Sequence, residues 1–246
     1  MKNNIALAFT VIITATISIT ACTKETAAVA SVDYSFSEGF DTVSKAVDRG
    51  WVIANNTKPI GTMAWVQGFF YASLYTGKLG INAYNYVNTG GFAGNNPSYA
   101  GADFIMTTAD CGSGNKAGCS NWLISPEVVI KDGDKVSFYT RTYENPATGA
   151  DRLELRINTA NGTANVGKDS NSIGGFSKVI LDINPTYLLD GAGSYPGEWT
   201  KYTATIAGMP VAKKSRIAFR YYVPNGGPLG ANSVGVGIDQ FSFIAN

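Results

Sequence analysis

Apolar and polar residues alternate with a period of two through much of the chain, the spacing of strands that bury one face. "DRLELRINT" sets Leu153, Leu155 and Ile157 against Arg152, Glu154 and Arg156. "SRIAFRYYV" sets Ile217, Phe219, Tyr221 and Val223 against Arg216, Ala218, Arg220 and Tyr222. "DKVSFYTRT", "FSKVILDI" and "EWTKYTATI" behave alike, and turn signals at 131–134, 161–163, 184–185 and 225–228 separate the segments. One stretch, "DTVSKAVDRG" (41–50), reads as a short helix. About ten strands with almost no helix predict one all-β sandwich rather than two domains.

Two carboxylates interrupt this pattern. Strict alternation in "VGVGIDQFSFIAN" (234–246) puts Asp239 on a face with Phe241 and Phe243, and Val234, Val236 and Ile238 on the other. In "YSFSEGFD" it puts Glu38 in a row with Tyr34, Phe36 and Phe40. An unpaired carboxylate on an apolar face costs several kcal/mol, so each is expected to find a neutralising partner.

Composition supports a globular β-protein. The chain of 246 residues is 45% hydrophobic and 15% charged, with 28 Gly, 13 Tyr and 12 Phe. Nineteen basic against eighteen acidic residues give no basic field for nucleic acid. Histidine is absent, which excludes Ser-His-Asp and Cys-His machinery and imidazole-based zinc sites.

The N-terminus reads as an address. Lys2 precedes an apolar run from Ile5 to Ile19, shorter than the roughly 20 residues of a membrane span and suited to a signal-peptide core. The run ends in "ITAC" (19–22), which resembles the bacterial lipobox. The expectation is a lipoprotein signal peptide over 1–21, lipid on Cys22, a tether over 22–33 and the folded domain over 34–246. The other reading is an ordinary signal peptide with a chance cysteine. Thr23 after the cysteine favours the outer membrane. Cys111 and Cys119 in "CGSGNKAGC" then remain, and an oxidising envelope predicts a disulfide between them.

Residues 76–103, "TGKLGINAYNYVNTGGFAGNNPSYAGAD", lack a strand pattern and carry Tyr84, Tyr86, Phe92 and Tyr99 among Gly and Asn. Aromatic rings on a polar loop suit recognition of sugars or proteins, or else pack on the sandwich edge.

Several segments in order resemble one family. "FSEGFD" (36–41), "NWLISPEVVI" (121–130), "DGDKVSFYTRT" (132–142), "DRLELRINT" (151–159), "YPGEWTKYTATIAG" (195–208), "RIAFRYYV" (216–223) and "GIDQFSF" (237–243) are similar to the bacterial choice-of-anchor J domain. That family is related to cleaved-adhesin domains and more distantly to MAM-like jelly rolls. The resemblance covers roughly residues 34–244. It implies a jelly-roll β-sandwich hung from a cell surface, with a binding or adhesion role.

In such jelly rolls the first and last strands lie close, which would bring Glu38 to Asp239. Calcium takes six to eight oxygens, and Glu38, Asp239 and Asp41 are its candidate ligands. Pairing of a carboxylate with Arg216 or Arg220, or plain exposure at a bulge, are the alternatives. Glu144, Asp151 and Glu198 form no catalytic motif and read as solvated. Arg141, Arg156 and Arg220 on polar strand faces either form a basic strip for an acidic glycan or pair with Glu154. The expected function is non-catalytic binding of a glycan, matrix component or surface protein. A spacer without a small ligand and a carbohydrate-active or peptidase-type enzyme are the other readings.

Overall fold

A computed structural model describes residues 34–68, 104–142 and 149–246, which fall in one compact unit. The signal peptide, Cys22, the tether and the tyrosine-rich stretch lie outside the described residues. Among the described residues no helix is long and apolar enough to cross a membrane.

Two antiparallel sheets face each other. The first is built from β1 (Phe36–Glu38), β3 (Val66–Gly68), β4 (Phe104–Thr108), β7 (Lys135–Arg141), β10 (Thr200–Thr205) and β13 (Gly235–Ile244). Its order is β10-β7-β13-β4-β3, with β1 also paired to β13. The second holds β2 (Val52–Asn55), β5 (Ala117–Ile124), β8 (Leu153–Ile157), β9 (Lys178–Ile183) and β12 (Ile217–Gly226), ordered β2-β5-β12-β8-β9. A separate small pair joins β6 (Val128–Ile130) to β11 (Lys213–Ser215). The expected helix is α1 (Val43–Asp48), which buries Ala46. The all-β sandwich is therefore the observed fold, with several very short strands beyond the ten that alternation shows.

The core lies between the sheets. Leu153, Leu155 and Ile157 of β8, and Ile217, Phe219, Tyr221 and Val223 of β12, all point into it as their alternation predicts. Phe138 of β7 meets Phe219 edge-on at 4.7 Å across the two layers.

Strand β13 departs from simple alternation. Val236, Ile238, Phe241 and Phe243 all belong to the same buried core. The step from 238 to 241 spans three residues because the register with β7 shifts between Asp239 and Ser242, where Gln240 adopts φ 46°. Such an extra residue flips the pleat. Asp239 thus does not share a face with Phe241 and Phe243, as strict alternation predicts; it lies opposite Tyr139 on the other face.

The first and last strands do meet, with Phe36, Ser37 and Glu38 opposite Phe243, Ser242 and Phe241. Glu38 is neutralised from nearby in sequence, by Arg49 at the end of α1. Nη2 and Nε of Arg49 lie 2.6 Å and 2.9 Å from the carboxylate oxygens, and the Phe40 N–H donates to Oε1 at 3.1 Å. Arg216 instead donates to the carbonyls of Gly162 and Ser125, and Arg220 turns to Glu154.

A second carboxylate ties the layers together. Asp151, read as solvated from sequence, is 1% exposed. Its Oδ1 accepts from Tyr221 Oη at 2.6 Å and from the N–H groups of Val234 and Gly235 at 2.9 Å. Its Oδ2 meets the Thr142 hydroxyl at 2.6 Å, and that hydroxyl also meets the Gly235 carbonyl at 2.8 Å. One hydroxyl proton cannot serve both acceptors. When Oδ2 carries a proton, as it does below about pH 6, it can donate to Thr142 and leave the Thr142 proton for Gly235. Burial likewise pushes Asp151 up to about 6, against the pull of its four hydrogen bonds.

Two predictions follow from these ties. A folded-state pKa above the unfolded one means that the Asp151 contribution is fully present below about pH 4 and is lost as pH rises through about 6, a change of about 3 kcal/mol. Asp151→Asn keeps the acceptor for three donors and gives Thr142 an N–H, so urea melts between pH 4 and 7 should lose most of this slope. An unchanged slope contradicts the assignment. Arg49→Met strands the Glu38 carboxylate and should cost about 1–3 kcal/mol at pH 7, reduced from the fully buried case because Arg49 is 53% exposed. Adding Glu38→Gln should restore part of that loss, and a purely additive double variant would show that the pair is uncoupled.

Candidate functional site

The sheet that holds β1 also presents an outward face, and its residues follow from the register. Phe36, Phe243, Val136 and Ala204 form one inward row across β1, β13, β7 and β10. The next row points outward and is made entirely of hydroxyl residues: Ser37, Ser242, Ser137 and Thr203. None of these four hydroxyls has a protein partner among the described residues. Neighbouring strands lie about 4.8 Å apart, so the row presents hydroxyls at regular intervals over about 14 Å.

A groove of about 450 Å³ runs over Ser37, Ser242 and Ser137 of this row. Tyr139 and Gln240 line it beside the serines, and Lys201 stands opposite Tyr139 on β10 with its Nζ 5.7 Å from the ring centroid. The groove combines an aromatic ring, a row of hydroxyls, one amide and one ammonium. Rings supply stacking area, and hydroxyl and amide groups supply directional hydrogen bonds, which together suit a polar ligand with apolar faces. Among the described residues Glu38 is the only carboxylate in its lining, and it is held by Arg49.

A second cleft of about 400 Å³ sits on the other side of Glu38, lined by Tyr34, Phe36, Trp51, Pro126 and Val128 with Arg49 at its edge. It is more apolar and carries no free polar row.

The three carboxylates considered for calcium are not gathered into one oxygen cage. Both oxygens of Glu38 face Arg49. Asp239 is 1% exposed, and its Oδ1 accepts from the Gln240 N–H at 2.6 Å. Asp41 is exposed and leans against Gly39, where its Oδ2 lies 3.2 Å from the position a Cβ would take. Among the described residues no group of three or more acidic, cysteine or histidine side chains is placed to hold a metal ion.

Cys111, in the 3₁₀ turn Ala109–Cys111, and Cys119 on β5 are both buried and present as free thiols. They are hydrogen-bonded to each other. That bond is the largest influence on both, pushing Cys111 up and drawing Cys119 down.

The arginine strip does not form. Arg141 belongs to the first sheet and donates from Nε to the Thr142 carbonyl at 2.9 Å. On the outer face of the second sheet Arg156, Arg220 and Arg152 surround Glu154 at 2.6, 3.3 and 2.9 Å. Burial pushes Glu154 up, but its hydrogen bond from Arg156 and the three positive charges outweigh it and hold the carboxyl low. Arg220 also stacks over Tyr222 at 3.8 Å. Arg156 and Arg220 donate to the carbonyls of Phe176 and Ser170, so the 158–177 segment covers this face. These arginines are spent on the fold. Glu198 is exposed, while Glu144 lies outside the described residues.

Tyr84, Tyr86, Phe92 and Tyr99 also lie outside the described residues. Alternation in the sequence did not point to the hydroxyl row, because Ser37, Ser137, Ser242 and Thr203 come from four distant segments. Only strand order and the β13 bulge bring them into line.

No protein-family model matches the sequence, and no curated protein does. Among solved structures, the chain is similar to the K1 cleaved adhesin domain of Lys-gingipain from Porphyromonas gingivalis W83, at 16% identity over 86% of this chain and 98% of that one, with a TM-score of 0.48. The K2 cleaved adhesin domain of Lys-gingipain is similar at 15% identity over 86% and 99%, also with a TM-score of 0.48. A structure of carbohydrate-binding modules from the β-sandwich superfamily is similar at 12% identity over 85% and 62%, with a TM-score of 0.39.

Proposed function

We propose that the protein is a non-catalytic binding domain of a bacterial envelope, held to the outer membrane through lipid on Cys22, and that it binds glycan in the groove over β1, β13, β7 and β10. The observation that carries this reading is the row of four unpartnered hydroxyls beside Tyr139. A pyranose offers an apolar face to a ring and hydroxyls at its rim, and this surface supplies the complement to each. A non-catalytic role is favoured because, among the described residues, the groove lining holds one carboxylate, already bound by arginine, whereas glycoside hydrolysis needs two. In an oxidising envelope Cys111 and Cys119 would close to a disulfide, passing two electrons and two protons to a disulfide oxidant.

Glycan-array screening followed by titration tests the site. Tyr139→Ala and the pair Ser137→Val with Ser242→Val should each weaken binding by about tenfold or more, the range of one to two lost ligand contacts, while leaving the melt little changed because these side chains point outward. Full retention of binding in both would remove the groove from the account. A variant with Tyr84→Ala, Tyr86→Ala and Phe92→Ala should bind like the parent. Loss of binding there instead would move recognition to the tyrosine-rich stretch. Intact mass under non-reducing conditions should show Cys111 and Cys119 two hydrogens lighter than after reduction, and equal masses would contradict the disulfide.

A further inference from the structure

The groove is electrically uneven. Its β10 side carries Lys201, exposed and without an ion-pair partner among the described residues. Lys135 lies on the same outward series of β7 as Ser137 and Tyr139, about 13 Å along the strand from Tyr139. It too is exposed and makes no ion pair among the described residues. Among the described residues, the carboxylates on the β1 and β13 side of the groove are engaged or remote. Glu38 is bound by Arg49, and Asp239 is buried with its Oδ1 on the Gln240 N–H. Asp41 leans on Gly39 at the β1 rim, three strands and about 14 Å from β10. Among the described residues, the lining over β7 and β10 therefore carries Lys201 and no carboxylate, while Glu198 stands exposed in the turn before β10.

We propose that the ligand is an acidic polysaccharide, with a carboxylate- or sulfate-bearing sugar stacked on Tyr139 and its anion on Lys201. This rests on the glycan-binding reading of the groove. Tyr139 and Lys201 form a unit for such a sugar: the ring takes the apolar face, and the ammonium, 5.7 Å from the ring centroid, meets the substituent. The hydroxyl row from Ser137 to Ser37 takes the neighbouring sugar units. Lys135 adds attraction further along the chain of the polymer. Exposed charges of this kind act over a screening length of about 8 Å at physiological salt, so binding should weaken as salt rises.

The test uses the full chain with two matched pairs of probes. These are polygalacturonate against its methyl ester, and dextran sulfate against dextran. Tighter binding of either acidic member than of its neutral partner is expected, and the pair that shows it identifies carboxylate or sulfate as the group read. Lys201→Ala should weaken the acidic probe by about two- to fivefold, the scale of one exposed charge contact, and Lys201→Arg should restore most of it. Lys168→Ala, an equal loss of charge on an exposed loop over the other sheet, should leave binding unchanged. Equal affinity for acidic and neutral members, or indifference to Lys201→Ala, overturns the proposal. If neutral glycans bind and depend on Tyr139, the glycan reading stands and only the acidic ligand falls. If no glycan of any kind binds, both fall.

Discussion

The architecture turns on one extra residue in the last strand. At Asp239–Gln240 the pleat of β13 slips by one position, with Gln240 in the left-handed region at φ 46°. Before the slip Val236 and Ile238 fill the core; after it Phe241 and Phe243 do. Without it the strand would expose two phenylalanines or two aliphatic residues. The slip also turns Ser242 outward, between Ser37 and Ser137. Core and surface are thus set by the same irregularity, which is how bulges commonly re-aim side chains.

Three buried carboxylates show how differently one problem is solved within the same sandwich. Glu38 takes a nearby arginine from the end of a short helix. Glu154 takes three arginines on the outer face of the second sheet. Asp151 takes no cation and relies on two hydroxyls and two backbone N–H groups. The first two are charge pairs with arginine. At Asp151 burial without a cation pushes the carboxyl up to about 6. That places the pH response of the fold at the junction of β7, β8, β12 and β13, away from the Tyr139–Lys201 end of the groove.

Much of the sandwich was legible in the sequence, and the reason is visible in β8 and β12. Each buries one face completely against the opposite sheet, so Leu153 to Ile157 and Ile217 to Val223 alternate without interruption. The meeting of the first and last strands was also accessible, through the resemblance to jelly rolls. The partner of Glu38 was not. Arg49 lies at the end of the predicted helix, and no periodicity says where a helix end will point its side chain. Asp151 was missed because a strand-end position looks solvated until the loop at 233–235 folds back on it. The candidate groove was invisible for a similar reason. Serine and threonine in polar strand positions carry no signal singly, and their alignment depends on register across four strands.

The outward face of β1, β13, β7 and β10 is the proposed ligand surface. Backbone hydrogen exchange with and without a saturating glycan identified by the array reads this directly. Protection should rise in peptides covering 36–39, 135–141, 200–205 and 240–244, and stay unchanged across 153–157 and 178–183 on the opposite sheet. Protection confined to the opposite sheet, or absent from all four groove segments while the glycan is bound, would contradict it.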